Sequence, residues 1–211
     1  MPLSEQDQNI VRSRAAAFEA RTGAQVLAVV AERCDAYPEL PWKAFALCAA
    51  IGALALFVQI AAGGAAHPLA APAVPLGAGA AGALAAGFVP SWARLFLDRR
   101  RSEAEALQHA QALFLRNALF ATRERVGILL LVSLFERQVV ILPDTGVAER
   151  IGQGELERII ASMGGPLAAG RTAEALVGGL DAIESLLLAK GFRAGPAGGE
   201  IAGELLMDRG P

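Results

Sequence analysis

Three carboxylates are the residues of this 211-residue chain whose types and spacing point most directly to chemistry. Asp144 lies in a turn after a predicted strand, Glu149 follows it along the chain, and Asp35 comes after another predicted strand. Carboxylates gathered at strand ends can hold a divalent cation or serve as an acid and a base. Aspartate is also an ordinary turn residue, so a purely structural role stays open.

The other reactive side chains do not form a catalytic signature. Ser133 lies in an apolar run with Leu131 and Phe135 as its alternate neighbours, and neither can act as a base. Cys34 and Cys48 are too few for a zinc site, and we expect Cys34 to be an exposed thiol. The sequence contains no P-loop and no nucleophile elbow.

Composition excludes two broad classes of protein. Hydrophobic residues make up 54% of the chain and charged residues only 19%, which excludes an intrinsically disordered chain. The formal net charge of −2 argues against a nucleic-acid partner, because such proteins carry a basic surface.

The apolar excess lies in residues 44–93, which contain no Asp, Glu, Lys or Arg. A stretch of this length can hold two membrane spans of about 20 residues each and a turn. We predict a transmembrane helical hairpin with spans at 44–62 and 73–89. A pair of helices buried inside a soluble protein is the alternative interpretation.

The flanks of this segment predict how it lies in a lipid bilayer. Trp42 and Trp92 stand at matching ends, where tryptophan anchors at the membrane interface. The basic residues beside them are Lys43, Arg94, Arg99, Arg100 and Arg101. Because the loop between the spans has no Lys or Arg, we expect both termini to be cytoplasmic. The arginines are a topology signal or a binding site for anionic headgroups.

A stripe of small residues predicts how the two spans pack together. Gly79, Ala83 and Gly87 recur at intervals of four residues in the second span. Small side chains on one helix face permit close approach of a neighbouring helix. We therefore predict that these three residues form the contact inside the hairpin.

The remaining chain has the pattern of one α/β domain. A capped amphipathic helix at 4–21 precedes a Val-rich strand at 25–32, and after the hairpin a long helix is predicted at 94–122. A continuously apolar strand at 126–135 and a second strand at 138–142 then form a β-hairpin. Two amphipathic helices follow. The predicted organisation is 1–43 and 94–190 for the two parts of the domain, 44–93 for the hairpin and 191–211 for a flexible tail.

This order and three sequence blocks resemble the TPM-domain family, in particular its short bacterial membrane branch. The blocks are RTGAQVLAVVAERCDAYPELPW at 21–42, TRERVGILLLVSLFERQVVILPDTGV at 122–147, and the closing helices around 170–183. The resemblance implies an α/β/α sandwich with the hairpin inserted. It also implies phosphatase-type activity, divalent metal binding, or assembly and repair roles at membranes, notably in photosystem maintenance.

The chain departs from the family pattern at one informative position. In larger members of the family an acidic residue commonly precedes the glycine of the central strand, whereas here Arg125 and Val126 precede Gly127. An arginine repels a cation that a carboxylate would bind.

We therefore expect a non-catalytic accessory or assembly module of the bacterial inner (plasma) membrane that meets other membrane proteins and needs no cofactor. The alternative is a phosphatase that depends on a divalent cation, with Asp35, Asp144 and Glu149 as its candidate ligands.

Overall fold

The computed structural model describes residues 3–122, 124–193 and 205–210, which divide into two compact units. Residues 1–34 and 103–211 form the first unit, here called the α/β domain, and residues 35–102 form the second, here called the hairpin unit. The chain thus leaves the α/β domain after its first strand and returns to it within a later helix.

A four-stranded sheet lies at the centre of the α/β domain. Its strands are β1 (Gln25–Ala31), β2 (Gly127–Ser133), β3 (Gln138–Pro143) and β4 (Leu205–Asp208), in the order β3-β2-β1-β4. β1 and β4 are parallel, β1 and β2 are parallel, and β2 and β3 are antiparallel. Every residue of β1 and β2 is buried, as expected of central strands covered on both faces.

Helices cover both faces of this sheet. One face packs against α1 (Glu5–Thr22), α7 (Gln153–Ala168) and α8 (Thr172–Ala189), and the other packs against α5 (Arg99–Arg116). The short helix α6 (Thr145–Ala148) follows β3. The predicted α/β/α sandwich is confirmed.

An ion-paired contact joins α1, from the first part of the chain, to α8 from the last part. The buried Glu184 carboxylate lies 2.7 Å from the Arg14 guanidinium and 2.6 Å from that of Arg21. Because a buried carboxylate without a cation is strongly destabilising, these contacts hold the two distant parts of the sequence together.

The carboxyl-terminal segment differs from the expectation of a flexible tail at 191–211. Residues 205–208 form β4, which pairs with residues 28–31 of β1. β4 lies along the edge of β1 that does not pair with β2. Leu205 is buried among the core side chains of one sheet face. Four residues are too few to show the alternating pattern by which a strand is predicted from sequence. The position of β4 follows from its pairing with β1 in the folded domain. Residues 194–204 of the expected tail lie outside the described residues.

The expected long helix at 94–122 is also divided. A short helix α4 (Pro90–Ala93) and a 3-10 turn at Arg94–Phe96 precede α5, and another 3-10 turn at Leu119–Ala121 follows it. Asp98 explains the start of α5, because its carboxylate accepts a hydrogen bond from the backbone N–H of Arg101.

The hairpin unit is built on two long apolar helices. These are α2 (Glu39–Ala61) and α3 (Ala70–Phe88), and both are long and apolar enough to cross a membrane. Large apolar side chains such as Leu54, Phe57 and Leu84 are exposed on them. A buried core helix would have most such side chains covered.

Small residues at the contact allow α2 and α3 to approach closely. A Cβ atom added to Gly82 would lie 2.5 Å from Cys48 Sγ, and one added to Gly79 would lie 2.7 Å from the Phe45 ring. The buried residues of α3 are Gly79, Gly82 and Ala86.

Of the three small residues predicted at this contact, Gly79 lies in it, Ala83 is half-buried and Gly87 is exposed with open space around it. The prediction was wrong for Gly87. Steps of four residues rotate by about 40° each around a helix with 3.6 residues per turn. Alternating steps of three and four, as in Gly79, Gly82 and Ala86, stay on one face.

The two kinds of glycine in α3 give a matched pair of substitutions. We expect Gly82→Ala to destabilise the hairpin by about 1–3 kcal/mol, because the added methyl group overpacks against Cys48. Gly87→Ala should be neutral or slightly stabilising, because alanine favours the helix and meets no neighbour. Thermal unfolding in detergent, followed by tryptophan fluorescence, measures both. Equal loss of stability in the two variants would show that the contact is elsewhere.

Candidate functional site

The carboxyl edge of the parallel strands is the first place to look for a site, because ligands of open α/β sheets bind there. β1, β2 and β4 all end at this edge. Five polar or reactive side chains belong to it and are here called the carboxyl-edge cluster: Cys34, His109, Ser133, Glu136 and Asp208.

Glu136 joins the ends of β1 and β2. It lies in the turn between β2 and β3, where its Oε1 atom accepts a hydrogen bond of 2.9 Å from the backbone N–H of Cys34. Its other carboxylate oxygen accepts a hydrogen bond from the Ser133 hydroxyl. All three residues are buried. The Ser133 hydroxyl therefore donates to the carboxylate of Glu136. The alternation of residues along the strand did not identify this partner, because Glu136 lies in the turn that follows.

Cys34 is buried rather than exposed as expected from the sequence. Burial and, to a smaller extent, the negative charges of Glu136, Asp208 and Glu105 raise the pKa of its thiol to about 12, although a hydrogen bond with Ser133 acts in the opposite direction. The nucleophilic form of cysteine is the thiolate. At neutral pH this side chain therefore lacks nucleophilic character.

His109 and Asp208 form the more accessible half of the cluster. Nε2 of His109 on α5 lies 3.0 Å from Oδ2 of Asp208 at the end of β4. The other carboxylate oxygen of Asp208 accepts a hydrogen bond from the Gly210 N–H. A carboxylate-oriented imidazole can transfer protons, but the Ser133 hydroxyl and the Cys34 thiol are buried and already hydrogen-bonded.

Asp144 has a structural environment at the opposite edge of the sheet. Its carboxylate accepts a hydrogen bond of 2.7 Å from the Thr145 N–H at the start of α6. It also lies 2.9 Å from Nε of Arg125, the residue that departs from the family pattern. Arg125 thus neutralises Asp144, and Glu149 is exposed at the end of α6.

Asp35 was expected to approach Asp144, but the direction of β3 places Asp144 at the other edge of the sheet. β3 runs antiparallel to β2, so the residue after β3 lies beside Gly127, where β2 begins, and its N–H donates to the Gly127 carbonyl. Cys34, which precedes Asp35, is bonded to Glu136 at the other edge. The part of the chain that the structure describes holds no group of three His, Cys, Asp or Glu side chains arranged for a metal ion.

Asp35 is instead part of an ion-pair network within the hairpin unit. The Arg101 guanidinium lies 2.9 Å from Asp35 Oδ2 and 2.8 Å from Glu39 Oε1. It also lies over the Tyr37 ring, 5.6 Å from the ring centroid. Arg101 therefore joins the start of α5 to the start of α2.

The other residues predicted at a membrane interface lie at the same end of the hairpin unit. Lys43 Nζ donates to the Phe96 carbonyl, and the Trp92 indole N–H donates to the Gly82 carbonyl. Trp42 is exposed, as are Arg99 and Arg100.

The thiol of Cys34 provides a direct test of this arrangement. In the Cys48→Ser variant, Cys34 is the only cysteine. A pKa of about 12 leaves a thiolate fraction on the order of 10⁻⁴ at pH 8, against about a quarter for an ordinary thiol. We expect iodoacetamide to alkylate the folded protein on the order of 1,000 times more slowly than the urea-unfolded protein, as measured by mass spectrometry. Comparable rates would mean that Cys34 is accessible and ionised.

Comparison with known proteins supports the sequence resemblance. The family model of the TPM domain matches residues 96–186. Among curated proteins, none matches the chain. The NMR structure of BA42 from the psychrophilic bacterium Bizionia argentinensis aligns with a TM-score of 0.59, covering 98% of this chain and 96% of that one. At 10% sequence identity, this likeness shows the fold alone. Residues 96–186 of the chain are thus similar to the TPM domain, and the likeness to BA42 extends the shared fold to the rest of the chain.

Proposed function

We propose that the protein is a membrane-anchored, non-catalytic accessory module that uses its TPM domain to meet other proteins of the bacterial inner membrane. The observation that carries this proposal is the hairpin unit, whose two long helices expose large apolar side chains along their length. In a bilayer these side chains would contact lipid tails instead of water.

Charge supports an orientation with both termini in the cytoplasm. Arg33, Lys43, Arg94 and residues 99–101 flank the hairpin, whereas the connection at 62–69 has no Lys or Arg. Basic residues close to the ends of membrane spans are retained on the cytoplasmic side. The carboxyl terminus and the tip of the hairpin are therefore expected on opposite sides.

Reporter insertions test this orientation in the full chain. Green fluorescent protein fused after Pro211 should fluoresce, and alkaline phosphatase at the same position should be inactive, because it folds only outside the cytoplasm. Alkaline phosphatase inserted after Gly64 should be active. An active enzyme at the carboxyl terminus would reverse the proposed orientation.

The chemistry of the α/β domain supports a non-catalytic role. Arg125 forms an ion pair with Asp144, and the Ser133 hydroxyl donates its hydrogen bond to the Glu136 carboxylate. The implied divalent cation fits these residues poorly, because an arginine beside the carboxylate opposes a second cation. A metal-dependent phosphatase is therefore supported by the family resemblance alone.

An activity measurement separates the two functions. We expect no hydrolysis of p-nitrophenyl phosphate above the rate of buffer, with or without Mg²⁺, Mn²⁺ or Ca²⁺, when the full chain is purified in detergent. Asp144→Asn and Glu149→Gln should both leave this baseline unchanged. Metal-dependent turnover that is lost in Asp144→Asn or in Glu149→Gln would replace the accessory role with a hydrolase.

A further inference from the structure

The two edge strands of the sheet differ in length and charge. β3 forms one edge and β4 forms the other. β4 has four residues and ends in the charged Asp208, whereas β3 has six residues, none of them charged. Folded proteins usually protect an edge strand by shortening it or by placing charged side chains on it. Of the two edges of the described sheet, β3 therefore has less protection against pairing with another strand.

The register of β3 determines which of its backbone groups face outward. The N–H of Asp144 donates to the carbonyl of Gly127, so these two residues form a hydrogen-bonded pair. Hydrogen-bonded and other pairs alternate along an antiparallel ladder, so every second residue of β3, counted back from Asp144, bonds to β2. The backbone groups of Val139, Ile141 and Pro143 therefore point away from β2. No strand of the described residues pairs with β3 on that side.

The side chains of β3 are also incompletely covered. Val139, Val140 and Leu142 are half-buried at the margins of the two apolar cores. A strand paired with β3 would bring side chains directly opposite them, at a distance where cross-strand pairs stabilise a sheet. The outer edge of β3 thus offers backbone hydrogen bonds and apolar area to an extended, uncharged strand.

Charges beside the ends of β3 favour a second copy of the same strand as this partner. Arg137 before β3 and Glu149 at the end of α6 are exposed, and within the described residues neither has an ion-pair partner. The other charged residues of the adjoining segments, 134–137 and 144–150, have contacts inside the domain: Glu136 with Ser133, Asp144 with Arg125, and Arg150 with the Phe192 ring. Antiparallel pairing of two copies places Arg137 of each beside the end of β3 from which Glu149 of the other follows, so opposite charges meet.

We propose that β3 pairs antiparallel with β3 of a second copy of this chain, which joins the two sheets into one. Pro143 has no N–H, and Arg137 has a φ of 55°, outside the β region. Val139 and Ile141 are therefore the outer positions of β3 that can both donate and accept. Both are used when Val139 lies opposite Ile141 of the partner subunit, and this register places the two Val140 side chains opposite each other. The inference concerns the α/β domain and does not depend on the proposed membrane anchoring.

Introduced cysteines test this register in the full chain purified in detergent. The parent is Cys48→Ser, whose remaining thiol, Cys34, is buried and not ionised at neutral pH. In Val140→Cys the two introduced thiols would face each other at a Cα separation of about 4.5 Å, within the range of a disulfide. We expect oxidation by copper phenanthroline to convert most of this variant into a disulfide-linked dimer, as seen on a non-reducing gel.

Gln138→Cys is the matched control for this cross-link. Gln138 lies on the same face of β3 as Val140 and is half-buried like it. In the proposed register its two copies would be about 14 Å apart, four residues along the strand, which is too far for a disulfide. Gln138→Cys and the Cys48→Ser parent should therefore stay free of the cross-link.

A charge placed at the two-fold axis tests the pairing itself. Light scattering corrected for bound detergent should give the unmodified chain a protein mass about twice that of the 21.8 kDa monomer. Val140→Lys should halve this mass, because two like charges would lie directly opposite each other. The control variant Ala161→Lys adds the same charge at an exposed position of α7 and should remain dimeric. Circular dichroism checks that both variants are folded.

Three results would overturn the pairing of β3 with its copy. The first is a monomer mass for the unmodified chain. The others are a dimer that withstands Val140→Lys and a cross-link that forms as readily in Gln138→Cys as in Val140→Cys, since each would place the contact elsewhere. None of these results bears on the membrane anchoring, which the reporter insertions test separately.

Discussion

The parallel pairing of β1 with β2 is the constraint on which the rest of the molecule depends. Two parallel strands cannot be joined by a tight turn and require a long crossover connection. Here that connection contains the whole hairpin unit in addition to α5. The register from Gln25 opposite Gly127 to Ala31 opposite Ser133 therefore joins residues that are about 100 positions apart in the sequence.

The end of β1 is fixed by contacts that do not belong to the strand ladder itself. Glu136 binds the Cys34 N–H, and the backbone N–H groups of Leu134 and Phe135 donate to the carbonyls of Ala31 and Glu32. The buried polar groups satisfy one another, as they must where water is excluded. The Glu136 side chain thus fixes the backbone at Cys34, the residue after which the chain leaves the α/β domain.

Two arginines pair with three carboxylates of this chain, Asp35, Glu39 and Asp144. Arg125 pairs with Asp144 in the α/β domain, and Arg101 pairs with Asp35 and Glu39 in the hairpin unit. The same charges that could attract a cation are used to join the start of one element to that of another. This use of charge is consistent with the proposed non-catalytic role.

Local sequence determined the elements of this protein more fully than their arrangement. The runs that became β1, β2 and β3, the apolar helices of the hairpin and the α/β class were all predictable, because periodicity and composition act over a few residues. The tertiary structure decided that β4 completes the sheet and that Cys34 is buried. It also separated Asp144 from the edge that holds Cys34, and placed Gly82 rather than Gly87 at the helix contact. Each of these outcomes depends on strand direction, register or helix rotation, which arise from pairing between distant segments and leave no local pattern.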